Sequence, residues 1–113
     1  MEISQRDIDQ GTCVITLEGT LNASSADKVK SAFVKAVEQG VRRVVLDLSK
    51  VPFMDSSGLA ALVSGLKTMN THDGSLKLAG LQPQATLLFQ LTMFDKVFDV
   101  SPDVETALRS LPQ

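Results

Sequence analysis

The chain has 113 residues, a net charge of −2, 43% hydrophobic and 21% charged residues. That is enough for one packed domain and too little for two, and it excludes a disordered chain. No basic cluster exceeds Arg42-Arg43, no apolar run reaches the ~18 residues of a membrane span, and a lone cysteine and a lone histidine leave no internal disulfide and no multi-His or multi-Cys metal site. Nucleic acid, membrane and metal are therefore not expected as partners. The residues Met1-Glu2-Ile3-Ser4-Gln5-Arg6 carry no apolar signal region, and with the single Cys this predicts a cytoplasmic protein.

In chain order, residues 2–8 suit a short edge strand, and Asp9-Gln10-Gly11 is a turn signal. Cys13, Ile15 and Leu17 alternate with Val14, Thr16 and Glu18, which predicts a strand over 12–18 with one buried face and Cys13 as a small core residue. Gly19-Thr20-Leu21-Asn22 breaks it. Asn22, Ser24 or Ser25 then caps a helix reaching about Gln39, with Val29, Ala32, Phe33, Ala36 and Val37 inside and Gly40 as its stop.

The aliphatic run at 42–49 predicts a buried central strand. After a Pro-containing break, Asp55-Ser56-Ser57-Gly58 opens a helix to about Thr71, with Leu59, Leu62, Val63, Leu66 and Met69 on one face. Leu76, Leu78 and Ala79 suit a fourth strand. Pro83 starts a helix carrying Leu87, Leu88 and Leu91. Val97-Phe98-Asp99-Val100 suits a short strand, and Ser101-Pro102-Asp103 opens a last helix packed by Val104, Ala107, Leu108 and Leu111. Alternating strands and helices predict an α/β fold: one domain over 1–113, with a mixed, mostly parallel sheet flanked by helices and a hairpin at one side.

The two hydroxyls at the mouth of a helix that follows a central strand are the candidate site. There Ser56 and Ser57 meet free backbone N–H groups and the positive end of the helix dipole. One reading is a helix cap. Gly58 costs about 1 kcal/mol against Ala inside a helix, and makes sense where something approaches the backbone closely. Intrinsic catalysis needs a base, and His72 lies 16 positions on, ~24 Å along a helix. No nucleophile elbow or phosphate loop occurs. The functional reading that remains is a serine that receives a phosphate from another protein, so that a docked partner must desolvate a dianion. Phe53, Met54 and Leu59 either fill the core or form the partner patch. Ala61, Ser64, Gly65 and Thr68 either pack within the domain or form a groove for a partner helix.

The run Val45-Leu46-Asp47-Leu48-Ser49-Lys50-Val51-Pro52-Phe53-Met54-Asp55-Ser56-Ser57-Gly58-Leu59 resembles a STAS domain of the bacterial anti-sigma factor antagonist family. Ile15-Thr16-Leu17-Glu18-Gly19 and Asp95-Lys96-Val97-Phe98 extend the resemblance over nearly the whole chain. It implies a partner switch without enzyme activity or cofactor. An anti-sigma factor serine kinase phosphorylates the serine after the Asp, here Ser56, and a serine phosphatase restores it. The partner-binding surface it suggests takes in Asn22, Met54, Asp55, Ser57, Gly58, Leu59, Ala61 and Gly65, with Asp55 either positioning the acceptor or capping the helix, and Ser57 a second cap hydroxyl. Asn22 stands where the family often has an acid, and Met93-Phe94 where it often has Gly-Leu. Two alternatives stay open. One is a STAS protein of another pathway, such as a secretion or signalling switch or a lipid-transport ATPase subunit. The other is a nucleotide- or anion-binding domain using the Ser56 helix end.

Overall fold

The computed structural model describes residues 1–111. In chain order the elements are β1 (Glu2–Asp9), β2 (Thr12–Glu18), α1 (Ala23–Glu38), β3 (Arg43–Lys50), α2 (Ser56–Thr71), β4 (Ser75–Ala79), α3 (Pro83–Thr92), a 3₁₀ turn (Phe94–Lys96), β5 (Asp99–Ser101) and α4 (Val104–Arg109). The strands lie side by side in the order of the chain. β1 and β2 form the antiparallel hairpin, and β2 to β5 are all parallel. The predicted α/β mixed sheet is the sheet that forms.

The larger core lies on one face. Cys13, Ile15, Leu17, Val44, Leu46 and Leu78 of the sheet meet Val29 and Phe33 of α1, Leu62 and Met69 of α2 and Phe89 of α3. The other face is covered by α4, where Ala107 packs with Val14, Val45 and Ala79. This second layer corrects the one-sided reading of β2: Val14 is as enclosed as its neighbours because α4 returns beneath the sheet.

Helix ends follow short polar side chains. Asn22 caps α1 with a reciprocal box: its Oδ1 accepts from the Ser24 N–H at 3.0 Å, and its own N–H donates to Ser25 Oγ at 2.9 Å. The cap of α4 is Asp103, not Ser101, which is the last residue of β5. The Thr106 N–H donates to Asp103 Oδ1 at 2.7 Å, and that bond holds the carboxyl below the usual carboxylate range.

Two further points concern α3 and the last strand. In α3 the inward residues are Ala85 and Phe89, while Leu87 and Leu91 are 54% and 74% exposed. The spacing of leucines alone could not set the phase of this helix; contacts of its first turn do, as described below. The last strand begins at Asp99 rather than Val97. Met93 takes a left-handed conformation (φ 62°), the 3₁₀ turn follows, and Phe98 is spent on the core against Phe89 at 5.6 Å. Of the bulky pair Met93-Phe94, Met93 faces out and Phe94 packs towards Phe98.

The small residues of α2 are explained by α1. A Cβ on Gly65 would stand 2.4 Å from the Phe33 ring, and Ala61 is fully enclosed. Gly65 therefore admits Phe33 of α1, and Ala61 and Gly65 pack within the domain, while Ser64 and Thr68 stay half-buried. Gly65→Ala should cost about 1–3 kcal/mol, read as a lower denaturation midpoint in urea.

Cys13 is enclosed on β2 and paired across the hairpin with Asp7. Burial first, and the Asp7 charge second, push its thiol up from 9.0 to about 11. The unfolded chain loses this proton before the folded one does. The contribution of Cys13 to stability is thus whole below pH 9 and falls as pH rises from about 9 through 11. Urea melts at stepped pH should show that decline in the wild type and lose it in Cys13→Ala, and iodoacetamide at pH ~8 should label Cys13 only after unfolding.

Candidate functional site

The segment between β3 and α2 is held by the chain itself. Phe53 accepts at its carbonyl from the Leu21 N–H at 3.0 Å, and the Asp55 N–H donates to the Leu21 carbonyl at 3.1 Å. Leu21 and Met54 form a one-residue parallel bridge. This stitch places the starts of α1 and α2 side by side, so Asn22 and Asp55 cap neighbouring helices on one rim of the sheet.

α3 braces the same segment from the other side. The Met54 N–H donates to Gln84 Oε1 at 2.9 Å, and Gln84 Nε2 donates to the Met54 carbonyl at 2.8 Å. Gln82 Nε2 also reaches the Ser49 carbonyl at 2.8 Å. A side-chain amide that satisfies both main-chain groups of one residue fixes distance and orientation together. It also turns Ala85 and Phe89 inward and leaves Leu87 and Leu91 outward. Sequence reasoning missed Gln84. A glutamine directly after a helix-opening proline carries no period or motif that would mark it.

The cap of α2 is Asp55, whose Oδ1 accepts from the Gly58 N–H at 3.0 Å. Neither serine hydroxyl serves as the cap, so the reading of Ser56 or Ser57 as a capping hydroxyl is corrected. Asp has displaced them because it sits at the one extended residue before the helix (φ −109°, ψ −173°). Ser56 is the first residue of α2 and exposed; Ser57 is the second and half-buried. Their N–H groups lie in the first turn, which has no intrahelical acceptor.

Of the residues expected on a partner surface, Asn22, Asp55 and Ser57 reach the surface of this rim. Five do not. Met54 and Ala61 are 0% exposed, Leu59 4%, and Gly58 and Gly65 are buried. Met54 and Leu59 join the main core, because the stitch to Leu21 turns this segment inward. Gly58 is a close-approach glycine, as its place in the helix suggested, but what approaches is the chain's own Leu21 carbonyl, 2.3 Å from where a Cβ would be. Phe53 is the member of the apolar trio that remains outside, at 47%. An open groove of about 540 Å³ runs from Ser56 past Ala60, Val63 and Lys67 and is walled by Thr92 and Phe94.

His72 follows the last residue of α2, with Nδ1 2.9 Å from the Thr68 carbonyl, at the opposite end of the helix from Ser56. Among the described residues no group of three or more His, Cys, Asp or Glu is placed to hold a metal ion. Among the described residues no helix is long and apolar enough to cross a membrane.

Comparison with known proteins gives a consistent picture. The sequence profile described as the STAS domain matches residues 4–107. An anti-sigma-B factor antagonist of Listeria monocytogenes is 33% identical over 101 residues, covering 88% of this chain and 86% of that protein. A solved anti-sigma factor antagonist from Mycobacterium paratuberculosis superposes with a TM-score of 0.86 at 25% identity, covering 97% and 92% of the two chains. The Bacillus cell fate determinant SpoIIAA in its phosphorylated form gives 0.73 at 20% identity over 96% and 98%, a likeness of fold.

The Gln84 brace is directly testable. Gln84→Leu leaves the N–H and carbonyl of buried Met54 without partners. It should cost about 1–3 kcal/mol in urea denaturation, with amide exchange at Met54 accelerated more than at the β3 amides.

Proposed function

The chain belongs to the STAS domain family, and on that footing we propose that it is an anti-sigma factor antagonist, a binding module switched by phosphorylation of Ser56. The observation that carries this reading is the placement of the Ser56 side chain. It is exposed, it caps nothing, and it stands at the first position of a long helix whose start is held by Leu21, Asp55 and Gln84. The relatives' names supply the class of partner, and the phosphorylated form solved for one fold neighbour supports the reading of a phosphate-bearing state.

In this reading the partner is an anti-sigma factor that is also a serine kinase. It transfers the terminal phosphoryl group of ATP to the Ser56 oxygen, and that hydroxyl gives up its proton. A serine phosphatase later hydrolyses the ester. In this reading the domain is the substrate of the transfer and not its catalyst, in keeping with its one histidine lying at the far end of α2 from Ser56. The added phosphate brings nearly two negative charges. The N-terminus of α2 tolerates them, because its dipole and free N–H groups favour an anion. A partner packed over the rim must strip water from that dianion, beside the Asp55 carboxylate, at a cost of several kcal/mol.

The partner surface is then the rim of Asn22, Asp55 and Ser57 with exposed Phe53 and the groove beyond Ser56. Ser56→Ala should bind the anti-sigma factor purified from the source organism as the parent does and take up no phosphate. Ser56→Asp should bind about 100-fold more weakly by calorimetry. Equal affinity of Ser56→Asp and the parent would sink the charge mechanism, and phosphate found on Ser57 would move the acceptor.

A further inference from the structure

We propose that the free edge of β1 pairs with the same edge of a second copy, forming a two-fold dimer centred on Ser4. β1 is the terminal strand of the sheet, and of its eight residues only Ile3 is even half-buried. Among the described residues no strand bonds its outer main-chain groups, the ordinary circumstance in which an edge recruits another chain.

The charges on this edge are unresolved within one chain and resolved by two. Glu2 stands directly opposite Glu18 in the hairpin, a like-charge pair that weakens a ladder. Arg6 stands opposite Val14, and neither Glu2 nor Arg6 joins an ion pair among the described residues. A two-fold axis perpendicular to the sheet keeps facing residues on the same side. It permits only registers centred on a residue. Centred on Ser4, Arg6 faces Glu2 of the second copy, and Glu2 faces its Arg6. Centres at Ile3, Gln5 or Arg6 set no opposite charges across from one another.

α1 stands back from this edge, across an open groove of about 1100 Å³ from β1, and the Gln5 and Gln39 side chains bond at 3.1 Å across it. The two-fold that joins the β1 edges lays the two α1 helices antiparallel on the same face of a continuous sheet, so the pairing rests on the strand edges.

Sedimentation velocity of the full chain, from low to several hundred micromolar, tests this. A concentration-dependent dimer is expected. Arg6→Glu makes both facing positions, 2 and 6, acidic and Glu2→Arg makes both basic, so each alone should weaken association about tenfold or more. An equal mixture of the two should restore it. Circular dichroism melts will show that each variant is folded. Ser56→Asp should leave the dimer unchanged, which separates this inference from the phosphorylation switch. A wild type monomeric throughout, variants that dimerise as the parent does, or a mixture that restores nothing would each overturn the proposal.

Discussion

The feature on which the rest of the molecule depends is the pair of main-chain hydrogen bonds between Leu21 and the segment Phe53–Asp55. They join two crossover connections that are far apart in sequence. Their effect is to bring the starts of α1 and α2 to one rim, and to press the Leu21 carbonyl against α2 so closely that only glycine fits at position 58. Met54 becomes part of the core because of that stitch, and Ser56 is left outside because of it. A buried main-chain group must find a partner, so this contact tolerates little rearrangement. Gln84 adds a second hold on the same peptide from α3.

Much of the fold was legible in the sequence because it rests on local chemistry. The alternation in 12–18, the aliphatic run in 42–49, the glycine after α1 and the turn at Asp9-Gln10-Gly11 each act within a few residues. What was not legible depends on elements remote in the chain. The second buried face of β2 is made by α4, some ninety residues later. The phase of α3 is set by Gln84 reaching Met54, and leucines spaced at three and four residues fit either phase.

The candidate site divides along the same line. That Ser56 opens a helix after a central strand was readable, and its exposure agrees with a role in modification. Which neighbours share its surface was not. Phe53, Met54 and Leu59 are all apolar and lie within seven residues, yet only Phe53 is outside. Hydropathy cannot separate them; the direction of the chain at the Leu21 stitch does. Asp55 was open to two readings, and its bond to Gly58 establishes the capping one.

Because Asp55 rather than a serine closes the start of α2, the identity of the group at position 56 is decoupled from the cohesion of the domain. On the proposed switch, a phosphate ester there would meet no cap, core residue or strand that depends on the Ser56 hydroxyl. The two chemical forms should therefore be alike to proteases and chaperones, which act on unfolded chain. A pool of the protein would then be repartitioned between the two forms without a change of lifetime, and the signal would be held in the occupancy of Ser56 and erased by removal of the phosphate.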